Sequence, residues 1–383
     1  MENKRIVFLD WLRVSACFMV ILVHCIEPFY YGGPTGLYIA SKSDALWVTL
    51  LNTPLRAAVP LFVMASSYLL VPVMTEFGTF FRKRLTRVLV PFLVWSVLYA
   101  VIPVPGTGGV DAMGNLTTLL FNFVMTSSGH MWFVYMLLGI YLLMPVISPW
   151  LEKISAKDEK IFLWIWAFTT VLPLLHPLAQ QVTGSKYLWG ECQWNTFGTF
   201  YYVSGFIGYV VLGHYLKTHV GEVSWKKTLA FGIPCWLGGF AIVFGGFLRR
   251  VYETSAGVFP TGGKVDVAVF WETTWCNDTI GVALMTIGLI LMFRKITCDG
   301  AFYRKVLLPI SQASYGMYLS HLLVLVPVFA VVREWLGSGA EGMLGVMTTP
   351  VEILLSSVAT FILVAVGSVI IRKIPKIGKY IIG

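Results

Sequence analysis

Residues 13–24 read RVSACFMVILVH. They sit inside the first long apolar run of the chain, near 6–27, and carry an ionisable side chain at each end. Ten mostly apolar residues separate Arg13 from His24. Eleven helical positions make about three turns, roughly 16 Å of rise, so both side chains lie on one face at different depths. Ionisable groups inside an apolar span are costly and mark functional positions.

Composition extends this reading to the whole chain. Of 383 residues, 57% are hydrophobic and 12% charged, where a soluble protein carries about 25% charge. Apolar runs of roughly 20 residues recur along the full length. The fold class expected is therefore all-α, a polytopic membrane protein forming one domain over 1–383. Ten spans are expected, near 6–27, 47–73, 88–104, 130–150, 161–178, 197–216, 228–247, 277–293, 306–332 and 350–371. With the N-terminus in the cytoplasm, twenty of the 28 Lys and Arg fall in cytoplasmic segments and six on the other side; Arg13 and Arg56 lie within spans. That bias places both termini in the cytoplasm. It also accounts for the net charge of +9 without a nucleic-acid partner.

The six cysteines show neither CxxC nor metal-ligand spacing, so no metal is expected. Cys17, Cys25 and Cys235 read as small hydrophobes, while Cys192 and Cys276 fall in loops on one side and are candidates for pairing. Asp10 and Arg13 interrupt the first apolar run, which does not read as a signal peptide. LTTLLFNFVM (116–125) is too short to cross and reads as re-entrant or interfacial. No internal repeat of the kind that marks many transporters is visible.

The ionisable groups inside the spans form a gradient. Asp10 lies three residues before Arg13, so a structural Asp10–Arg13 pair is one reading of the first span. In FFRKRLTRVLVP (80–91), positive-inside anchoring explains Arg82 and Lys83. Arg84 and Arg87 share a helix face, and two guanidiniums on one face hold a phosphate bidentately. Arg56 enters the second span from the outer side, followed by Ser66, Ser67 and Tyr68. His130 opens the fourth span at the level of His24; an aromatic belt explains Trp132 and Phe133 but not His130. Ser314, Tyr318 and His321 form one stripe in ISQASYGMYLSHLLV (310–324), either a polar seam between helices or part of a site. Arginines thus gather near the cytoplasmic face and three histidines in the outer half. Histidine gives and takes protons near neutral pH.

Together these stretches resemble the integral-membrane acyltransferase-3 family. The carriers are LDWLRVSACFMVILVH, RAAVPLFVMASSYL, RKRLTR before Pro91, GHMWFVYMLLGIYLLMP and ISQASYGMYLSH, in that order along nearly the whole chain. The pattern is most similar to short members that lack an extracytoplasmic catalytic domain, such as enterobacterial-common-antigen O-acetyltransferases. The resemblance implies about ten helices and transfer of an acyl group, usually acetyl from acetyl-CoA, to a glycan. It implies His24 as the catalytic histidine, with Arg84 and Arg87 on the acyl-CoA side. Ser314, Tyr318 and His321 match the family's late Ser-Tyr-His pattern. One departure is Ser66-Ser67-Tyr68, where relatives commonly read Ser-Gly-Tyr; the added Cβ and hydroxyl either tighten a helix contact or alter the space for the acyl chain.

The function expected is acetyl transfer in the bacterial inner membrane, from cytoplasmic acetyl-CoA to a hydroxyl of an extracytoplasmic or lipid-linked glycan. The CoA phosphates meet Arg84 and Arg87, with Arg13 deeper. His24 acts as general base or carries the acetyl group transiently. Tyr318, Ser314 or Arg56 stabilises the oxyanion, and His130 or His321 orients His24 or the acceptor. Arg56, Glu27, Trp132, Glu191 and Asp266 are candidates for holding the sugar. A proton-coupled transporter of a solute or lipid-linked sugar is the alternative, since intramembrane histidines and arginines also suit a proton relay.

Overall fold

The structure, a computed structural model, describes residues 5–33, 36–39, 41–102, 110–121, 126–185, 187–192, 195, 197–254, 263–264 and 275–383. Its α-helices are, in chain order, α1 (Val7–Ile26), α2 (Lys42–Asn52), α3 (Ala58–Leu70), α4 (Phe77–Val101), α5 (Ala112–Phe121), α6 (Trp132–Lys153) and α7 (Ala156–Thr169). They continue with α8 (Leu172–Thr183), α9 (Ile207–Thr218), α10 (Trp225–Thr254), α11 (Ile280–Phe293), α12 (Leu308–Leu336), α13 (Thr348–Arg372) and α14 (Gly378–Ile382). Three short strands, β1 (Tyr31–Gly33), β2 (Gly36–Ile39) and β3 (Gly263–Lys264), pair antiparallel in the order β1-β2-β3.

Among the described residues, seven helical segments are long and apolar enough to cross a membrane, and α7 with α8, bent by 47° at their junction, would make an eighth. The chain is thus a multi-pass membrane protein built from helices, its three short strands aside. Two of the ten expected spans are shorter helices. Near 197–216 the apolar run is divided: a 3-10 turn covers Gly198–Val203 and Gly205 takes φ +70, leaving the 12-residue α9. Near 277–293 the helix is the 14-residue α11, about 21 Å long, against a hydrocarbon layer of about 30 Å. The expected re-entrant segment is partly α5, tied to α4 by the Asn115 amide donating to Ala100 O at 3.1 Å; residues 122–125 lie outside the described residues. So does Asp266.

The helices fall into two compact units. The first comprises residues 1–25, 73–146 and 298–383, and the second 26–72 and 147–297. In the first unit, apolar helices are stitched by side-chain donors that find backbone carbonyls, because a donor inside such a bundle has no water to turn to. Tyr99 of α4 donates to Leu319 O of α12 at 3.0 Å, and Tyr315 of α12 donates to Val88 O of α4 at 2.8 Å. α12 and α13 form a hairpin whose turn begins at Gly337, φ +76, and is clasped by Arg333 Nε to Glu352 Oε1 at 2.7 Å.

In the second unit, α10 and α11 lie close because glycines face each other. A Cβ on Gly239 would sit 2.4 Å from Gly281 O, and one on Gly288 would sit 2.5 Å from Gly232 O. Small residues set this approach where lipid offers no hydrophobic drive between helices. Gly239→Val is therefore expected to destabilise the protein by about 1–3 kcal/mol, the usual cost of overpacking, read as a lower melting temperature in detergent. An unchanged melt would show that the helices separate freely. α7 and α9 join through buried Glu159, whose carboxylate meets His214 Nδ1 at 2.8 Å and His219 Nε2 at 3.0 Å.

Candidate active site

The first unit places its charged and titratable residues at two levels. At one level α4 starts with the basic run Arg82–Arg87, which the sequence reading assigns to the helix approach and which is helical throughout. A cavity of about 550 Å³ opens there, lined by Arg82, Lys83, Arg84, Thr86, Arg87, Arg372, Lys379, Tyr380 and Gly383. Arg84 is half-buried and reaches over the Phe80 ring, 5.9 Å from its centroid. Arg84 and Arg87 interact electrostatically with each other. Arg13 does not line the cavity, yet it interacts with Arg87 and, like Arg84, with Tyr141. Arg87 is thus the arginine that the charges of both Arg13 and Arg84 feel.

The expected Asp10–Arg13 pair is not formed. Asp10 instead binds Arg5, with Nε at 2.7 Å and Nη2 at 2.8 Å. It also accepts from Tyr303 Oη at 2.7 Å and Ser311 Oγ at 2.6 Å. Four donors use up the lone pairs of both carboxylate oxygens. Arg5 lies before the first span, and the hydrogen bond to Asp10 raises its pKa. Arg13 makes no direct hydrogen bond or salt bridge among the described residues and stays partly exposed, with the charge of Asp10 acting on it from a distance.

At the other level three histidines from three helices meet. The His24 ring lies 5.0 Å from that of His321 and 6.2 Å from that of His130, and His130 lies 5.0 Å from His321. His130 and His321 are buried, while His24 is the partly exposed member. His321 Nδ1 is 2.6 Å from Tyr318 O. A carbonyl only accepts, so Nδ1 carries the proton and Nε2 of the neutral ring keeps its lone pair. That Nε2 has no hydrogen-bond partner among the described residues, nor has either ring nitrogen of His130. Buried polar atoms are normally paired; these three nitrogens of His130 and His321 are exceptions.

The two hydroxyls expected to hold an oxyanion are engaged elsewhere. Tyr318 donates to His130 O, fixing α12 against the start of α6, and Ser314 donates to Ser311 O at 2.9 Å. As held here, neither proton points at the imidazoles: Tyr318 positions the cluster, and Ser314 lies along its own helix. Trp132 is exposed beside Phe133. Arg56 and Glu27 belong to the second unit and interact electrostatically there; Arg56 lies over the Trp275 ring at 4.1 Å. Glu191 is occupied by His176 at 2.8 Å and by the Leu188 amide at 3.0 Å, which makes it a loop-forming residue. All six cysteines are free, so Cys192 and Cys276 do not pair.

Two features escaped the sequence reading. Tyr99 packs its ring 5.3 Å from His130. Its signal was the buried stripe Phe92, Trp95, Ser96 and Tyr99 on one face of α4. The other feature is the return of the chain end, Arg372 to Gly383, to the basic cavity. The Ser67 departure also resolves. Its Cβ would lie 3.0 Å from a Cβ built on Gly213, and its hydroxyl donates to Val210 O. It is a contact between α3 and α9.

One helical unit thus carries a cationic cavity and, elsewhere in the same unit, a cluster of buried imidazoles. The chain belongs to the acyltransferase-3 family: the family model, described as an acyltransferase domain, matches residues 6–371. No curated protein and no solved structure matches the chain. The chain is a membrane acyltransferase.

Proposed function

We propose that this acyltransferase moves an acetyl group from cytoplasmic acetyl-CoA to a hydroxyl of an extracytoplasmic or lipid-linked glycan, in the bacterial inner membrane with both termini inside. The observation that carries the reading is the pairing of the basic cavity with the histidine cluster in one unit. Along α4, Arg84 and Tyr99 are fifteen residues apart, about 22 Å of helix, and Tyr99 touches His130. A pantetheine arm bridges a gap of that kind, with its phosphates at one end and its thioester at the other.

In this reading Arg84 and Arg87 hold the CoA diphosphate, and Arg13 lies on the way inward. The acceptor hydroxyl loses its proton to His24 as its oxygen attacks the thioester carbon. The tetrahedral intermediate collapses, the carbon–sulfur bond breaks, and the histidinium returns the proton to the departing thiolate. The products are an acetyl ester and CoA. Buried His130 and His321 confine His24 and supply open lone pairs beside the acceptor. Trp132, Glu27 and Arg56 are assigned to the acceptor side.

The test uses purified protein in nanodiscs, with free CoA measured after acetyl-CoA and envelope glycan are added. Arg84→Gln and Arg87→Gln are each expected to raise KM for acetyl-CoA by about tenfold, the loss of one charge-assisted contact, with kcat little changed. Release of no CoA by the wild type, together with solute uptake by proteoliposomes, would instead favour a transporter.

A further inference from the structure

The basic cavity holds more charge than a diphosphate needs. Six of its lining residues are cationic, Arg82, Lys83, Arg84, Arg87, Arg372 and Lys379, and none of the lining residues is Asp or Glu. Two of the six come from the end of the chain, beyond the residues the family model matches. Their placement is built into the fold. α13 ends at Arg372, and the chain reverses so tightly that a Cβ on Gly378 would sit 2.3 Å from Ile371 O. α14 is then pinned from two sides. Trp95 Nε1 of α4 donates to Ile381 O at 2.9 Å. Buried Ile382 fills the notch left by Gly316 of α12, where a Cβ would lie 2.5 Å from Ile382 Cδ1. This leaves exposed Lys379 on the lining of the cavity that Arg87 also lines. Arg372 and Lys379 also line an adjoining cavity of about 370 Å³ with Pro309, Gln312, Val369 and Lys373. The Arg372 guanidinium donates to Gln312, which orients it.

Resting on the acyl-CoA reading above, we propose that Arg372 and Lys379 form a separate subsite for the terminal 3′-phosphomonoester of the donor. The diphosphate is in line with the pantetheine arm and belongs with half-buried Arg84 and its helix neighbour Arg87. The monoester branches from the ribose, away from that line, and carries about −1.5 to −2 charge at neutral pH. A second cationic pair, on a different segment and shared with the adjoining cavity, meets a branched dianion beside the first.

The experiment compares CoA with 3′-dephospho-CoA by titration calorimetry on the full chain in nanodiscs at fixed salt. Wild type is expected to bind CoA at least about tenfold more tightly. In Arg372→Gln, in Lys379→Gln and most fully in the double variant, this preference falls towards one while the affinity for dephospho-CoA stays near wild type. A preference that survives in the double variant, an absent preference in wild type, or a parallel weakening of both ligands overturns the subsite and leaves the acyl-CoA reading standing. Binding of neither ligand by wild type takes down both. Anionic phospholipid that co-purifies with wild type and is lost from Lys379→Gln, without any CoA preference, would assign the pair to a lipid headgroup and also overturns the proposal.

Discussion

His24→Ala is expected to lower acetyl transfer by about 10²–10⁴-fold, the contribution of a positioned general base, while acetyl-CoA binding changes less than about twofold. The expectation follows from position. His24 is the partly exposed member of the cluster; His130 and His321 stand behind it with their rings at 6.2 and 5.0 Å. No described carboxylate bonds His130 or His321. The basic cavity that would hold the CoA phosphates is lined by other residues, so the donor still docks when His24 is lost. Acetyl transfer and CoA affinity are measured on the same preparation. Transfer within about tenfold of wild type would remove His24 from the role of base. His321→Asn separates the neighbours' roles: it leaves Nδ1's bond to Tyr318 O open to an amide but abolishes the open Nε2. A change in the pH profile with unaltered CoA affinity is the expected signature of a group acting through His24.

Much of this site was legible in one dimension because its logic is helical. Arg13 and His24 are eleven apart, Arg84 and Arg87 three apart, and Ser314, Tyr318 and His321 follow a single stripe. Each spacing is a property of one helix, and the structure keeps each on one helix. What was not legible depends on contacts between distant segments. Asp10 reads as the partner of Arg13 because both lie on one helix face. Its real partners include Tyr303 and Ser311, 293 and 301 positions away. Two hydroxyls and Arg5 outbid a guanidinium three residues along, since Arg5 precedes the helix and curls over its first turn. The basic tail after α13 reads as plain cytoplasmic anchoring. Its return to the cavity is set by close approaches at Gly378 and Gly316, which no periodicity announces. Near 197–216 the apolar average likewise runs on across Gly205, whose φ of +70 divides the run and leaves α9 shorter than it. Hydropathy averages over a window; a backbone reversal occurs at one residue.

Asp10→Ala is expected to cost about 3–5 kcal/mol of stability, the range for removing one partner from a buried charged group. Asp10 is almost fully buried, and its carboxylate holds together the start of α1 and the start of α12. Without it, the Ser311 and Tyr303 hydroxyls lose a charged acceptor in a place water reaches poorly, at about 1.5–3 kcal/mol for each such bond. Arg5 adds less, because its side chain is 44% exposed and can turn to solvent. Arg5→Ala is accordingly expected to cost under about 1 kcal/mol. Asp10→Asn falls between the two, as the amide keeps one acceptor oxygen but brings an unwanted donor among Tyr303, Ser311 and Arg5. A membrane protein of this size unfolds irreversibly, so the reading is a rank order of melting temperatures at one scan rate: wild type, Arg5→Ala, Asp10→Asn, Asp10→Ala. If Asp10→Ala melted with Arg5→Ala, the carboxylate would be serving the arginine alone, and the join between α1 and α12 would have to come from apolar packing around Leu9, Leu12 and Leu307, all of which are buried.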